Sequence, residues 1–217
     1  MTVLPFQTDA QARQAIPAVD RHLGSGGLLA YPTETVYGLG SRPLEADVAA
    51  LATLKGRARD KPFLLLVADR SMVEAHGLRF TEAARVLAGA FWPGPLTLVL
   101  SGGERKLPDA LRGPEGGIAV RWTSHRAVAQ LIAALGYPLT STSANRPGCA
   151  TAPGVGAIAA DFAEAIAQGR LLVLDGGALG NLPPSTVVDC THPQPRLVRE
   201  GAIPRAELRR LAGSAAP

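Results

Sequence analysis

Apolar residues recur at helical spacing over residues 9–24, 45–55, 81–91, 124–135, 156–168 and 204–212, and each stretch predicts a helix. Between them lie short apolar runs at 27–31, 63–68, 96–101, 117–121, 138–142, 171–175, 185–189 and 195–199, which predict strands. Pro17 falls inside the first helical stretch and is expected to interrupt it, because proline has no N–H to donate. Strands interleaved with helices predict an α/β fold. The short links among the runs between 171 and 199 predict some antiparallel pairing there. No internal repeat is present, and the Gly213–Pro217 tail is expected to fray.

Polar residues gather at the predicted strand ends. The first run leads into Tyr31-Pro32-Thr33-Glu34-Thr35-Val36-Tyr37-Gly38-Leu39-Gly40, which after Pro32 holds the hydroxyls of Thr33, Thr35 and Tyr37, a carboxylate and two glycines. The glycines allow backbone to approach a ligand, and so much polarity exceeds what a turn requires. Gly117–Arg121 reads as a strand ending in a cation, with Ser124 as the N-cap of the next helix and His125 in its first turn. Pro138–Thr142 runs into Ser143-Ala144-Asn145, where an extended chain would put Ser143 and Asn145 on one face. Ser185–Asp189 and Leu197–Gly201 add two more such elements. Open α/β sheets bind ligands at the carboxyl ends of their strands, and six polar elements there predict convergence on one site.

Charge adds a second signal. Of 22 Lys and Arg residues only three are lysines, and two of these fall in the run Lys55-Gly56-Arg57-Ala58-Arg59-Asp60-Lys61. In extended chain its four cations would share one face and repel each other unless an anion sat among them. As a solvated basic turn the run would carry no function; read with the hydroxyl clusters, it predicts a polyphosphate or carboxylate cradle.

At 217 residues the chain is expected to form one domain, with a core over about 10–205. It has no apolar run near eighteen residues and no leader-like N-terminus, which points to a cytoplasmic protein. Cys149 and Cys190 lack CxxC partners and are expected to be free thiols. His22, His76, His125 and His192 show no ligand-like spacing, so no protein-held metal is expected. A net charge of +4 permits an anionic partner without demanding one. No basic–aromatic interleaving suggests a single-strand stacking platform.

The motifs Tyr31–Gly40, Lys55–Arg57 with Pro62, Phe91–Leu98, Gly117–Arg121, Ser141–Asn145, Ser185–Asp189 and Arg199–Gly201 occur in an order that resembles the YrdC-domain family. Within it the chain is most similar to the short bacterial threonylcarbamoyl-AMP synthases. The resemblance covers roughly residues 10 to 205. It implies a single-domain, twisted, open mixed sheet flanked by helices, with a central basic groove. The implied reaction converts L-threonine, bicarbonate and ATP to threonylcarbamoyl-AMP, for modification of tRNA by a separate threonylcarbamoyl-transfer complex.

By the same resemblance Lys55 and Arg57 are the catalytic cations, and Mg²⁺ accompanies ATP without a dedicated protein site. Arg57, Lys61, Arg121, Ser143, Asn145 and Arg199 are the expected ATP contacts. Thr33, Thr35 and Ser185 are the expected threonine contacts, with His125 and Thr151 as weaker candidates. Three positions depart from the family: Ala58 where Pro is frequent, Leu66 where longer members carry His, and Glu200 where Pro is usual. The C-terminal domain of longer members is not expected after Pro217. Two other readings stay open: a non-catalytic RNA-binding protein that grips tRNA or ribosomal backbone, and a carbamoyl-transfer module of a maturation factor. The clustered hydroxyls weigh against the first, since backbone grip favours spread cations. The lack of acylphosphatase and zinc-finger companions weighs against the second.

Overall fold

Alternate residues of the central strands belong to two different apolar cores, and this alternation organises the molecule. The computed structural model describes residues 3–57, 61–180 and 182–212. The strands are β1 (Val3–Pro5), β2 (Leu28–Tyr31), β3 (Gly38–Gly40), β4 (Leu64–Val67), β5 (Leu78–Arg79), β6 (Leu96–Gly102), β7 (Ile118–Trp122), β8 (Leu139–Ser143), β9 (Leu171–Asp175), β10 (Thr186–Asp189) and β11 (Arg196–Arg199). The helices are α1 (Asp9–Gly24), α2 (Glu45–Lys55), α3 (Arg70–Ala75), α4 (Glu82–Phe91), α5 (Arg126–Leu135), α6 (Val155–Asp161), α7 (Ala163–Ala167) and α8 (Arg205–Ala212). The strands form one sheet in the order β1-β9-β2-β3-β8-β4-β7-β6-β10-β11, with β5 pairing β6 to the side. It is mixed: β1, β9 and β2 run parallel, β3 and β8 alternate in direction, and β10 is parallel to β6 but antiparallel to β11. This is the flanked mixed sheet that the sequence predicts. The late antiparallel pairing is confined to β10 and β11, since β9 lies far across the sheet between β1 and β2.

Period two sorts the side chains. Leu29 and Tyr31, Leu66, Leu139, and Leu172 and Leu174 point to one core with Phe6, covered by α1 and α5. Leu28 and Ala30, Leu65 and Val67, Leu96, Leu98 and Leu100, Ile118 and Val120, and Val188 point to the other, covered by α2, α4, α6, α7 and α8. Helix α5 buries Ala127, Val128, Leu131, Ile132 and Leu135; burying each of the larger ones contributes roughly 1.5–3 kcal/mol. On the same side as α1 and α5, the strands from β7 to β11 in the sheet order carry no helix, and that bare face is the floor of a groove.

Several boundaries differ from expectation. Helix α1 runs unbroken through Pro17. Both Pro17 and Arg13, whose carbonyl loses its helical partner, are exposed, so that carbonyl lies on the solvent side while Ala12, Ala15, Val19 and Leu23 stay buried. The 156–168 stretch breaks at Phe162 into α6 and α7, with the Phe162 ring packed in the core. The cap of α5 is His125 and not Ser124: the His125 ring nitrogen accepts from Val128 N at 3.4 Å. Strands β1, β3 and β5 and helix α3 are too short for a periodicity to register. Among the described residues no helix is long and apolar enough to cross a membrane.

Candidate active site

Along β6, Leu96, Leu98 and Leu100 face the core while Thr97 and Val99 face the groove. Along β7, Ile118 and Val120 face the core while Gly117, Ala119 and Arg121 face the groove. In β10, Val188 faces the core, and Val187 and Asp189 face the groove with Ser185 just before the strand. The site therefore lies across a sheet face as well as at strand ends: Ser143 and Arg199 are the last residues of β8 and β11, and Arg121 is next to last in β7. Ser185 stands at the amino end of β10. The cavity measures about 930 Å³, within the range of small-molecule sites. Its arginines are Arg57, Arg121, Arg196 and Arg199, set against Glu115 and Asp189.

Arg121 is the most enclosed of these cations, 4% exposed. Its Nη1 donates to Thr35 Oγ1 at 3.2 Å, and its Nε lies 3.6 Å from Glu34 Oε1. Thr33, expected to contact substrate, lines the groove, but its hydroxyl is engaged locally. It donates to Val36 O at 2.6 Å and accepts from the backbone N of Thr35 and Val36, fixing the turn after β2. The Tyr37 hydroxyl turns away, donating to Gly177 O and accepting from Gly176 N.

Arg57 lines the groove through a tight local frame. Its Nε donates to Lys61 O at 2.6 Å, Nη1 to Thr142 Oγ1 at 3.0 Å and Nη2 to Pro62 O at 2.9 Å, while the guanidinium lies over the Phe63 ring. Arg199 reaches the Ser185 carbonyl with Nη2 at 2.9 Å, and Ser185 Oγ lies 2.9 Å from Thr97 Oγ1. Partial burial and the neighbouring Arg121 charge hold the Arg199 guanidinium below its usual pKa. Two arginines that face one partly desolvated groove favour an anion between them.

The expected extended run of four cations is not formed. Lys55 is the last residue of α2, and Gly56 ends the helix in the left-handed region at φ 61°. Arg59 lies outside the described residues, and the exposed Lys61 does not line the groove. Lys55 is buried and also off the wall. Its Nζ donates to Ser143 O and Asn145 Oδ1, both at 2.7 Å, and to Asn145 O. Asn145 does not face the groove beside Ser143; it is buried behind it. Its Oδ1 accepts from Ser143 Oγ at 2.6 Å, and its Nδ2 donates to Arg146 O and Cys149 O. An amide with four protein partners has little capacity left for a ligand. His125 is likewise off the wall, stacked on Phe6; burial lowers its pKa, with Glu34 acting in the opposite sense. Thr151 and Ser143 do line the groove. Thr97, which the sequence reading passed over, was detectable as the polar member of the alternation Leu96-Thr97-Leu98.

The Sua5/YciO/YrdC family model, described as telomere recombination, matches residues 21–201. The chain belongs to this family. It is 36% identical over 190 residues to a threonylcarbamoyl-AMP synthase of Pyrococcus abyssi, covering 87% of this chain but 54% of that relative, so it spans about half of the longer protein. It is 39% identical over 186 residues to a threonylcarbamoyl-AMP synthase of Chromohalobacter salexigens, covering 84% of this chain and 94% of that one. The solved structure of P. abyssi Sua5 complexed with L-threonine superposes with a TM-score of 0.86 at 31% identity, over 98% of this chain and 61% of that one. Leu66 is fully buried under α5.

Proposed function

We propose that the protein is a threonylcarbamoyl-AMP synthase, which joins L-threonine, bicarbonate and ATP to give L-threonylcarbamoyladenylate, pyrophosphate and water. The observation that carries this reading is the set Arg57, Arg121 and Arg199 on one bare sheet face with the hydroxyls of Thr35, Thr142 and Ser143. Two relatives at 36% and 39% identity bear that name, which supports it. The product would pass to a separate threonylcarbamoyl-transfer complex acting on tRNA, and a cytoplasmic location follows from that role.

The chemistry needs positioning and charge neutralisation more than bond-making by the protein. Bicarbonate takes up a proton and loses water, and the threonine amine attacks the resulting carbon dioxide, giving back a proton as the carbamate forms. A carbamate oxygen then attacks the α-phosphorus in line, and pyrophosphate leaves. In this reading Arg121, with Thr33 and Thr35 beside it, receives the carboxylate and carbamate end of threonine, and Ser185 closes that end. Arg57 and Arg199 face the phosphates, where planar guanidinium forks suit bidentate contact. Ser143 presents its hydroxyl to the nucleotide. Lys55 and Asn145 act from behind, holding the Ser143 segment in place.

Among the described residues no three His, Cys, Asp or Glu side chains gather to hold a metal. In this reading Mg²⁺ comes with the triphosphate and neutralises part of its charge.

Titration calorimetry tests the shared groove. ATP and L-threonine should each bind, and each should tighten the other. Threonine that neither binds nor changes ATP affinity would overturn the reading.

A further inference from the structure

Glu34 has no assigned task, although it sits between Thr33 and Thr35 in the densest polar motif of the chain. Its Oε2 accepts from Thr123 Oγ1 at 2.5 Å, and the same Thr123 oxygen accepts from His125 N at 3.1 Å. That chain of bonds ties the carboxylate to the start of α5. The other carboxylate oxygen, Oε1, is buried 3.6 Å from Arg121 Nε. Among the described residues neither of these two atoms has a hydrogen-bond partner. The side chains are 14% and 4% exposed, so the pair is screened from water and held at ion-pair distance. Glu34 itself does not line the groove, whereas Arg121 does.

From this geometry we infer that Glu34 is a positioning residue for Arg121: it fixes the Nε edge of the guanidinium from behind and leaves the Nη edge for an anionic substrate group. Two constraints define the pose. Thr35 Oγ1 takes one Nη1 hydrogen, and the Glu34 charge draws the Nε edge inward. A buried arginine with a nearby arginine would otherwise swing toward solvent or drop its affinity for a fixed position, since like charges repel in a low-dielectric setting. The carboxylate also offsets the charge of Arg121 while no substrate is bound. An anion arriving from the groove then completes a sandwich of negative, positive and negative groups, and it must be oriented on the Nη edge because Glu34 occupies the other.

The inference rests on the proposed reaction for its kinetic test and stands apart from it for its spectroscopic one. The full chain would be compared with Glu34→Gln, Arg121→Lys and the double variant, reading kcat/KM for threonine-dependent pyrophosphate release. Glu34→Gln keeps the shape and the Thr123 bond but removes the charge. It should lower kcat/KM about tenfold or more, and the double variant should be no worse than Arg121→Lys alone, because a residue that acts through another loses its effect when that other is gone. A Glu34→Gln loss under about twofold, or losses that multiply in the double variant, would overturn the inference. In parallel, the arginine Nε–H signal that vanishes in Arg121→Lys should exchange slowly in the unliganded wild type and much faster in Glu34→Gln. Unchanged exchange would also overturn it. Should the wild type release no pyrophosphate, the proposed reaction fails while this spectroscopic comparison still decides the role of Glu34.

Discussion

Lys55 and Asn145, ninety residues apart in the chain, are joined by a side-chain bond of 2.7 Å from Nζ to Oδ1. The ammonium spends its other contacts on the carbonyls of Ser143 and Asn145, so its three donors meet three acceptors of one segment. The lysine that ends α2 thus fastens the loop after β8 to the groove wall.

Removing that clamp takes a charged donor from three oxygens: Ser143 O keeps Asn145 N and Asn145 Oδ1 keeps Ser143 Oγ, while the Asn145 carbonyl loses its Lys55 donor. Lys55→Met should lower stability by about 1–3 kcal/mol, the usual cost of an unpaired buried acceptor. It should also weaken ATP binding by loosening Ser143. A Lys55 repelled by neighbouring cations, as in an extended basic run, would instead make its loss neutral or mildly stabilising for folding. Denaturant melts of wild type and variant separate the two: an unchanged midpoint would return Lys55 to direct substrate contact.

Burial, with the Arg57 charge as the second cause, lowers the Lys55 pKa to about 8 from 10.5. Between those values the unfolded chain holds the proton that the folded chain has lost. The Lys55 contribution to unfolding free energy therefore rises with pH across this window, and it falls as pH drops through about 8. Function should move the other way. Above pH 8 a neutral amine offers two donors to three acceptors, the loop loosens, and ATP affinity declines. Calorimetry from pH 7 to 9.5 should show this decline in wild type and a flatter profile in Lys55→Met.

Arg199 binds the Ser185 carbonyl and stands near the Arg121 charge. Arg199→Gln relieves like-charge repulsion and should leave the melting temperature unchanged or slightly raised. Losing a charge-assisted contact to the transition state should cost about 3 kcal/mol, roughly a hundredfold in kcat/KM. Near-normal turnover with a lowered melting temperature would make Arg199 a structural clasp for β10.

Gly201 lets the segment after β11 pass against the one before β10. A Cβ there would meet Pro184 O at 2.1 Å and Ser185 O at 2.7 Å. Gly201 N also donates to Thr186 Oγ1 at 2.9 Å, which locks the crossing. Gly201→Ala must push the Ser185 backbone aside, costing about 1–3 kcal/mol of stability and lowering threonine affinity. Equal threonine affinity in wild type and variant would separate Ser185 from the threonine site.

Every strand of four residues or more was legible in the sequence, most of them as runs of apolar residues between polar or glycine-rich turns. Leu171-Leu172-Val173-Leu174 is the plainest case. What the sequence could not give is which strands are neighbours. Strand β9 pairs with β1 and β2, and β10 pairs with β6, across sequence separations that no local pattern encodes. The candidate site was legible as a list of polar residues but not as a place. The Leu96-Thr97-Leu98 alternation reports two faces without saying that one of them stays bare. Asn145 looks like a ligand contact until its four partners are seen, and Lys55 looks like one until its three acceptors are counted.

The central claim is tested most directly by measuring pyrophosphate release from ATP with L-threonine and bicarbonate added singly and together. The account predicts release only when both are present, accompanied by a product with the mass of threonylcarbamoyl-AMP, and loss of both signals in Arg121→Ala. Release that ignores threonine, or none with both substrates and Mg²⁺ present, would contradict it.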